Sequence, residues 1–180
     1  MNKLFKALTI YVAFFAAAVI LNACCDNNRR IIGNGGISAL DVNTVTGITE
    51  EDPAPITGPF EIWTIFQTES FSAASFPLLP TAMATSCPQN LTNDLNESTI
   101  SISSNRAFTY SNVVIEPGTN LMAIEELEYL QDFDRLEFYF SESFIENAEF
   151  DSDFYTFSIE ATTTDGRNLG NSIRLEFAIQ

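Results

Sequence analysis

Histidine is missing from the 180-residue chain, and lysine occurs only at Lys3 and Lys6. Without histidine there can be no Ser-His-Asp triad, no Cys-His pair and no His-ligated zinc or haem. Cations are scarce overall: 8 Lys+Arg stand against 24 Asp+Glu, a formal net charge of −16. Such a surface lacks the counter-charge that phosphates demand, which excludes nucleic acid as a direct partner. What is present is apolar, with 46% hydrophobic residues and 16 phenylalanines. That fraction is ordinary for a folded protein and argues against wholesale disorder. The length leaves room for one globular domain and a tail.

Both lysines precede residues 7–21 (ALTIYVAFFAAAVIL), an apolar run broken only by the hydroxyls of Thr9 and Tyr11. Fifteen residues at ~1.5 Å each give ~22 Å of helix, short of the ~30 Å hydrocarbon core of a bilayer. A charged start and a short apolar centre predict a secretory signal rather than a membrane span. The run closes on Leu21-Asn22-Ala23-Cys24. This segment resembles the lipobox of bacterial lipoproteins, with an aliphatic residue at −3, a small one at −1 and then cysteine. The resemblance implies that 1–23 are cleaved as a signal peptide and that Cys24 is acylated and becomes the first residue. Two or three acyl chains, at ~0.8 kcal/mol per buried CH₂, anchor firmly where one would be marginal. The expected location is the cell envelope, on the outer membrane in preference to the inner, at its periplasmic face or the cell surface.

After such cleavage six arginines face 24 acids, a formal charge of −18. Residues 24–57, rich in Asn, Gly, Thr and Asp with prolines after an acidic run, show no sustained period of 3.6 or 2 and are predicted to be a flexible tether. About thirty such residues have an r.m.s. reach of ~30 Å. Ile31, Ile32 and Val42–Val45 could instead add an edge strand.

From residue 58 to 180 the pattern has period two, the mark of half-buried strands. Phe60, Ile62 and Phe66 share one face, with Trp63 and Ile65 on the other. Ile100 and Ile102 alternate with polar residues. Phe108–Tyr110 and 112–116 form short strands that Pro117-Gly118 ends. Leu136, Phe138 and Phe140 oppose Glu137 and Tyr139. Tyr155, Phe157, Ile159 and Ala161 answer Ile173, Leu175, Phe177 and Ile179 across a hairpin. About seven short strands with one-sided burial predict an all-β, antiparallel β-sandwich. Residues 121–130 (LMAIEELEYL) have helical composition and are expected to form a short helix between strands, with an extra strand as the alternative.

The C-terminal part resembles a bacterial immunoglobulin-like domain. The carriers are Asp134, Leu136, Phe138 and Phe140, then Tyr155–Thr162, Asp165, Gly166 and Asn168. The resemblance covers about a third of the chain and implies an Ig-like architecture, from which no function follows.

Three constellations are candidates for chemistry. Half the acids, 12 of 24, fall between Glu116 and Asp153. Asp132, Asp134, Asp151 and Asp153 are spaced as calcium ligand pairs, with Asp165 a third candidate, because calcium takes six to eight oxygens. Solvated acidic loops are the alternative, and no cofactor is otherwise implied. Paired carboxylates could also serve a glycosidase, but a small sandwich offers little room for a cleft and no nucleophile motif is present, so no enzyme is expected. Thirteen phenylalanines remain after cleavage, more than the inward positions above require. Trp63, Phe71, Phe76 and Tyr139 are therefore candidate binding residues, for a protein patch or for stacking glycan rings. The alternative is a two-layer core covered by the Pro-broken stretch 68–98. Cys25 and Cys87 could pair in an oxidising envelope. The reading these features favour is a lipid-anchored protein that docks an envelope partner without catalysis. A glycan-binding accessory lipoprotein of a polysaccharide uptake system is the alternative.

Overall fold

The computed structural model describes residues 28–49, 52, 54–71, 90–91, 93–150 and 154–178. The chain divides into two compact units, Met1–Arg30 with Glu69–Thr92, and Ile31–Thr68 with Asn93–Gln180. In the smaller unit, Asn28 and Arg29 pair in parallel with Asn90 and Leu91, and Arg30 makes an exposed ion pair with Glu69 at 2.9 Å.

The strands in chain order are β1 (Asn28–Asp41), β2 (Thr46–Ile48), β3 (Pro55–Ile56), β4 (Phe60–Phe71), β5 (Asn90–Leu91), β6 (Ser101–Ser104), β7 (Phe108–Tyr110), β8 (Val113–Ile115), β9 (Leu127–Asp132) and β10 (Arg135–Phe140). One α-helix follows, α1 (Glu142–Asn147), then β11 (Ala148–Glu149), β12 (Phe154–Thr162) and β13 (Asn168–Phe177). The larger unit holds a sheet of order β2-β1-β4-β10-β9, a second of order β3-β13-β12-β6 and a small third of order β11-β7-β8. The fold is an all-β sandwich.

Its core is aromatic, and the predicted inward faces supply it. Phe60 and Phe140 stack at 4.3 Å in the first sheet, and both meet Phe157 of the second at 6.0 and 5.6 Å. Phe177 closes on Phe60 at 5.6 Å. Ring pairs at these spacings add about 0.5–1.5 kcal/mol each beyond their buried area. The third sheet and α1 extend the core at one end: Phe144 of α1 meets Phe140 at 5.0 Å and Tyr110 at 5.1 Å, and Phe108 meets Phe144 at 6.3 Å. The apparent surplus of phenylalanine is thereby largely absorbed, since Phe108 and Phe144 are buried beside the positions read from alternation.

Three expectations are corrected. Residues 28–41, read as tether, form β1, an inner strand flanked by β2 and β4. Its loop-like composition reflects close approach: a Cβ on Gly35 would lie 2.2 Å from the Ile65 carbonyl oxygen, so only glycine fits. Its polar neighbours are bonded, with the Gly170 N–H donating to Asn34 Oδ1 at 2.9 Å and the Thr64 hydroxyl to the Gly36 carbonyl at 3.2 Å. Thr64 also accepts from the Asn171 amide of the second sheet. Residues 121–130, expected as helix, form only a single 3-10 turn at Leu121–Ala123 before the chain becomes β9. The leucines at spacing three never share a buried stripe: Leu121 and Leu127 are buried while Leu130 is exposed. Finally, thirteen strands in three sheets stand among the described residues where about seven were expected.

The β7–β8 turn matches its residues. Ser111 and Asn112 adopt φ of 48° and 64°, the left-handed pair that a two-residue hairpin requires. The β12–β13 hairpin connects Thr162 to Asn168, longer than a two-residue turn. Asp165-Gly166 makes the bend, and Gly170 lies inside β13, opposite Glu160.

Candidate functional site

The outward face of the first sheet carries the sequence-predicted aromatics. Cross-strand register places Glu128, Tyr139 and Glu61 in one row, Leu130, Glu137 and Trp63 in the next, and Asp132, Arg135 and Ile65 in a third, across β9, β10 and β4. Directly opposite residues in an antiparallel pair have Cβ atoms about 5 Å apart, and diagonal ones are within reach of long side chains. Trp63 and Tyr139 are therefore diagonal neighbours on one face. Arg135 ties the rows together: its guanidinium lies 5.5 Å from the Trp63 ring centre and pairs with Glu137 at 2.8 Å. Leu130 and Ile65 remain 63% and 44% exposed. This mixture of ring faces, aliphatic surface and carboxylates can hold an apolar or ring-shaped group and accept hydrogen bonds. It offers no nucleophile beside a base.

Trp63 is half-buried on the outside of β4, and the two-layer core forms without it. Phe71 ends β4, but its side chain lies outside the described residues, as do Phe76, Cys24, Cys25, Cys87, Asp151 and Asp153. Asp132 and Asp134 flank the β9–β10 turn, where the Asp132 carboxylate accepts from the Phe133 N–H at 2.7 Å. No group of three potential metal ligands gathers among the described residues. Phe150 and Phe154, the residues bordering Asp151 and Asp153, lie toward the other end of β10: Phe150 stacks on Phe177 at 4.2 Å, and Phe154 pairs with Glu176.

A second feature is a cleft of about 460 Å³ floored by Ile56, Ile145 and Phe177 and rimmed by Glu142, Glu146 and Glu149. Among the described residues that line it there is no Lys, Arg, Ser or Cys.

Sequence reasoning missed two polar nodes. At the first, Asn93 is buried and acts as a strand partner for Ile31, accepting from its N–H at 2.7 Å and donating to its carbonyl at 2.8 Å. The same amide donates to Asp165 at 3.3 Å. Asp165, a calcium candidate by sequence, is thus engaged in a turn. The Thr163 hydroxyl foremost, then Asn93 and Arg167, hold its carboxyl below the usual aspartate range against some burial. Arg167 in turn donates to the Ile32 carbonyl.

At the second node Asp41 is fully buried, and burial alone would raise its pKa. The Thr57 N–H at 2.7 Å, the Thr44 N–H at 2.9 Å and the Thr57 hydroxyl at 2.9 Å together outweigh burial and leave the carboxyl below its ordinary 3.8. A depressed folded pKa means that the unfolded chain binds the proton more readily. The stabilisation is therefore complete above the ordinary value and is lost as pH falls through the folded one. Asp41→Asn should be less stable than the native chain near neutrality, and the gap should close on acidification below 3.8. Urea midpoints of both proteins over that range are the measurement. A gap independent of pH contradicts the assignment.

No family model matches the chain, and no curated protein matches it. Among solved structures it is similar to BspA_C_WT, with 12% identity and a TM-score of 0.29 over 79% of this chain and 50% of that one. It is also similar to the Streptococcus agalactiae AgI/II polypeptide BspA C terminal domain (WT), with 12% identity and a TM-score of 0.28 over 78% and 48%. The chain spans about half the length of these structures.

Proposed function

We propose that the chain is a lipid-anchored envelope protein whose β-sandwich docks a protein partner without catalysing a reaction. The observation that carries this is the run from Lys3 and Lys6 through the apolar 7–21 to Leu21-Asn22-Ala23-Cys24, followed almost at once by folded structure. β1 begins at Asn28. Four residues at ~3.6 Å each span at most about 14 Å, so an acyl group on Cys24 holds the start of β1 close to the bilayer instead of at the end of a ~30 Å leash. The outward face of β4, β10 and β9, with Trp63, Tyr139, Ile65 and Leu130, supports docking. It also favours a second reading, in which Trp63 and Tyr139 stack on a glycan and the protein serves polysaccharide uptake.

Metabolic labelling with an alkyne fatty acid, followed by mass spectrometry of the N-terminal peptide, tests the anchor. Label is expected on Cys24 of a chain lacking residues 1–23, and Cys24→Ala should be neither labelled nor cut. An unlabelled native chain that keeps its first 23 residues refutes the reading.

A further inference from the structure

We propose that the open edge of β9 binds an extended, basic segment of a protein partner by strand addition. This rests on the docking reading and names its surface.

Sheet edges expose unpaired N–H and C=O groups, and natural proteins blunt them by shortness, by lysine, by proline or by bulges. The other edges here follow that practice. Among the described residues β2 and β8 have three residues each, β3 and β11 two each, and β6 has four with the sequence SISS. β9 is the longest of these edges, with six residues (LEYLQD) that include no lysine, proline or glycine and whose two charges, Glu128 and Asp132, are both acidic. It ends the β2-β1-β4-β10-β9 sheet, so among the described residues only β10 pairs with it. Apolar side chains are uncovered on both of its faces. Leu130, on the outward face, is 63% exposed. Tyr129, on the core face, lies 6.3 Å from Phe138 yet is 41% exposed, and among the described residues no strand continues the sheet beyond it.

Charge selects the occupant. The segment 125–134 (EELEYLQDFD) carries five acids and no base. A second copy added antiparallel about Leu130 would set Glu128 against Asp132. Centring on Tyr129 sets Glu126 against Asp132, and centring on Gln131 sets Glu128 against Asp134. Like charges directly opposite are destabilising, so self-pairing is disfavoured in every central register. An added strand fits when cations face Glu128 and Asp132, an apolar residue faces Leu130 between them, and residues able to pack beside Tyr129 alternate on the other face. Main-chain hydrogen bonds would supply affinity and these side chains specificity.

The probe is the peptide Ser-Lys-Ile-Val-Thr-Lys-Ser, compared with the same peptide bearing Glu for both Lys, against the full chain purified in detergent. The Lys peptide is expected to slow amide hydrogen exchange in Leu127–Asp132 by about tenfold or more at saturation, as a newly paired edge should, and the Glu peptide to leave it unchanged. Leu130→Lys, which puts a cation against the incoming ones on a solvent-facing position, should weaken binding about tenfold with the melting temperature kept, whereas Val114→Lys on the β8 edge should bind normally. No protection by the Lys peptide, equal protection by the Glu peptide, or undiminished binding to Leu130→Lys overturns the proposal. None of these readouts depends on acylation, so the outcome is separate from that of Cys24→Ala.

Discussion

Phe140→Ala is expected to destabilise the sandwich by about 3–5 kcal/mol, the range for deleting a fully buried aromatic ring. Phe140 is 0% exposed and stacks on Phe60, while its other contacts reach Phe157 across the sandwich and Phe144 on α1. One deletion therefore opens a void where the two large sheets and the helix meet, and no single neighbour can move to fill it. Against a total stability of about 5–15 kcal/mol for an ordinary domain, this approaches unfolding. Phe140→Leu keeps most of the apolar volume and forfeits mainly ring packing, so its cost should be about 1 kcal/mol. Phe154→Ala is the outward comparison. Phe154 is half-buried, and the Arg174 guanidinium sits 4.0 Å from its ring centre, a contact worth about 0.5–1 kcal/mol at exposed sites. Urea unfolding of the three variants checks the order. A loss at Phe140→Ala no larger than at Phe154→Ala would show that the core does not centre there.

The same residues mark how far the sequence carries. Where a strand buries one face and wets the other, period two is imposed by the pleat, so the core faces of β4, β10, β12 and β13 were legible residue by residue. β1 was not, because its place depends on how near another backbone comes. Gly35 is required by the Ile65 carbonyl, and Asn34 is bonded to Gly170, which is 136 residues away. Locally only Ile31 and Ile32 pointed to a strand there, and at an edge, whereas β1 lies between β2 and β4. The 121–130 segment misled for the complementary reason: its helical composition is a weak preference that pairing with β10 overrides. α1 has six residues, too short to establish a period, and its one local signal is the Ser141 hydroxyl accepting from the Phe144 N–H at 3.2 Å. At the candidate site the outward placement of Trp63 and Tyr139 could be read from alternation. Their meeting on adjacent strands could not, because it is decided by the register of β4 on β10.

Asn93→Ala should cost about 2–4 kcal/mol, although it removes only three heavy atoms. The asparagine amide replaces a neighbouring strand for Ile31, bonding both its N–H and its carbonyl, and Ile31 is itself fully buried. Alanine would leave both backbone groups without these partners in a site closed to water, and each orphaned group costs about 1–3 kcal/mol. Asp165 would also lose a donor, so the damage should extend from β1 to the β12–β13 turn. Hydrogen exchange should report it as faster opening at both Ile31 and Thr163. Asn93→Asp separates chemistry from shape. The carboxylate keeps the acceptor for the Ile31 N–H, lacks the donor for its carbonyl, and brings a negative charge beside Asp165. Repulsion and burial raise the folded pKa of the new carboxyl, so its penalty is greatest at neutral pH and is relieved as pH falls and the group protonates. Protonation also restores a donor. Asn93→Asp should therefore regain stability relative to Asn93→Ala on acidification from about pH 7 to about pH 4, as the coupled pair it forms with Asp165 takes up a proton. Parallel pH dependence of the two variants would mean that Asn93 does not face Asp165, and that β1 is held at its beginning by something other than this amide.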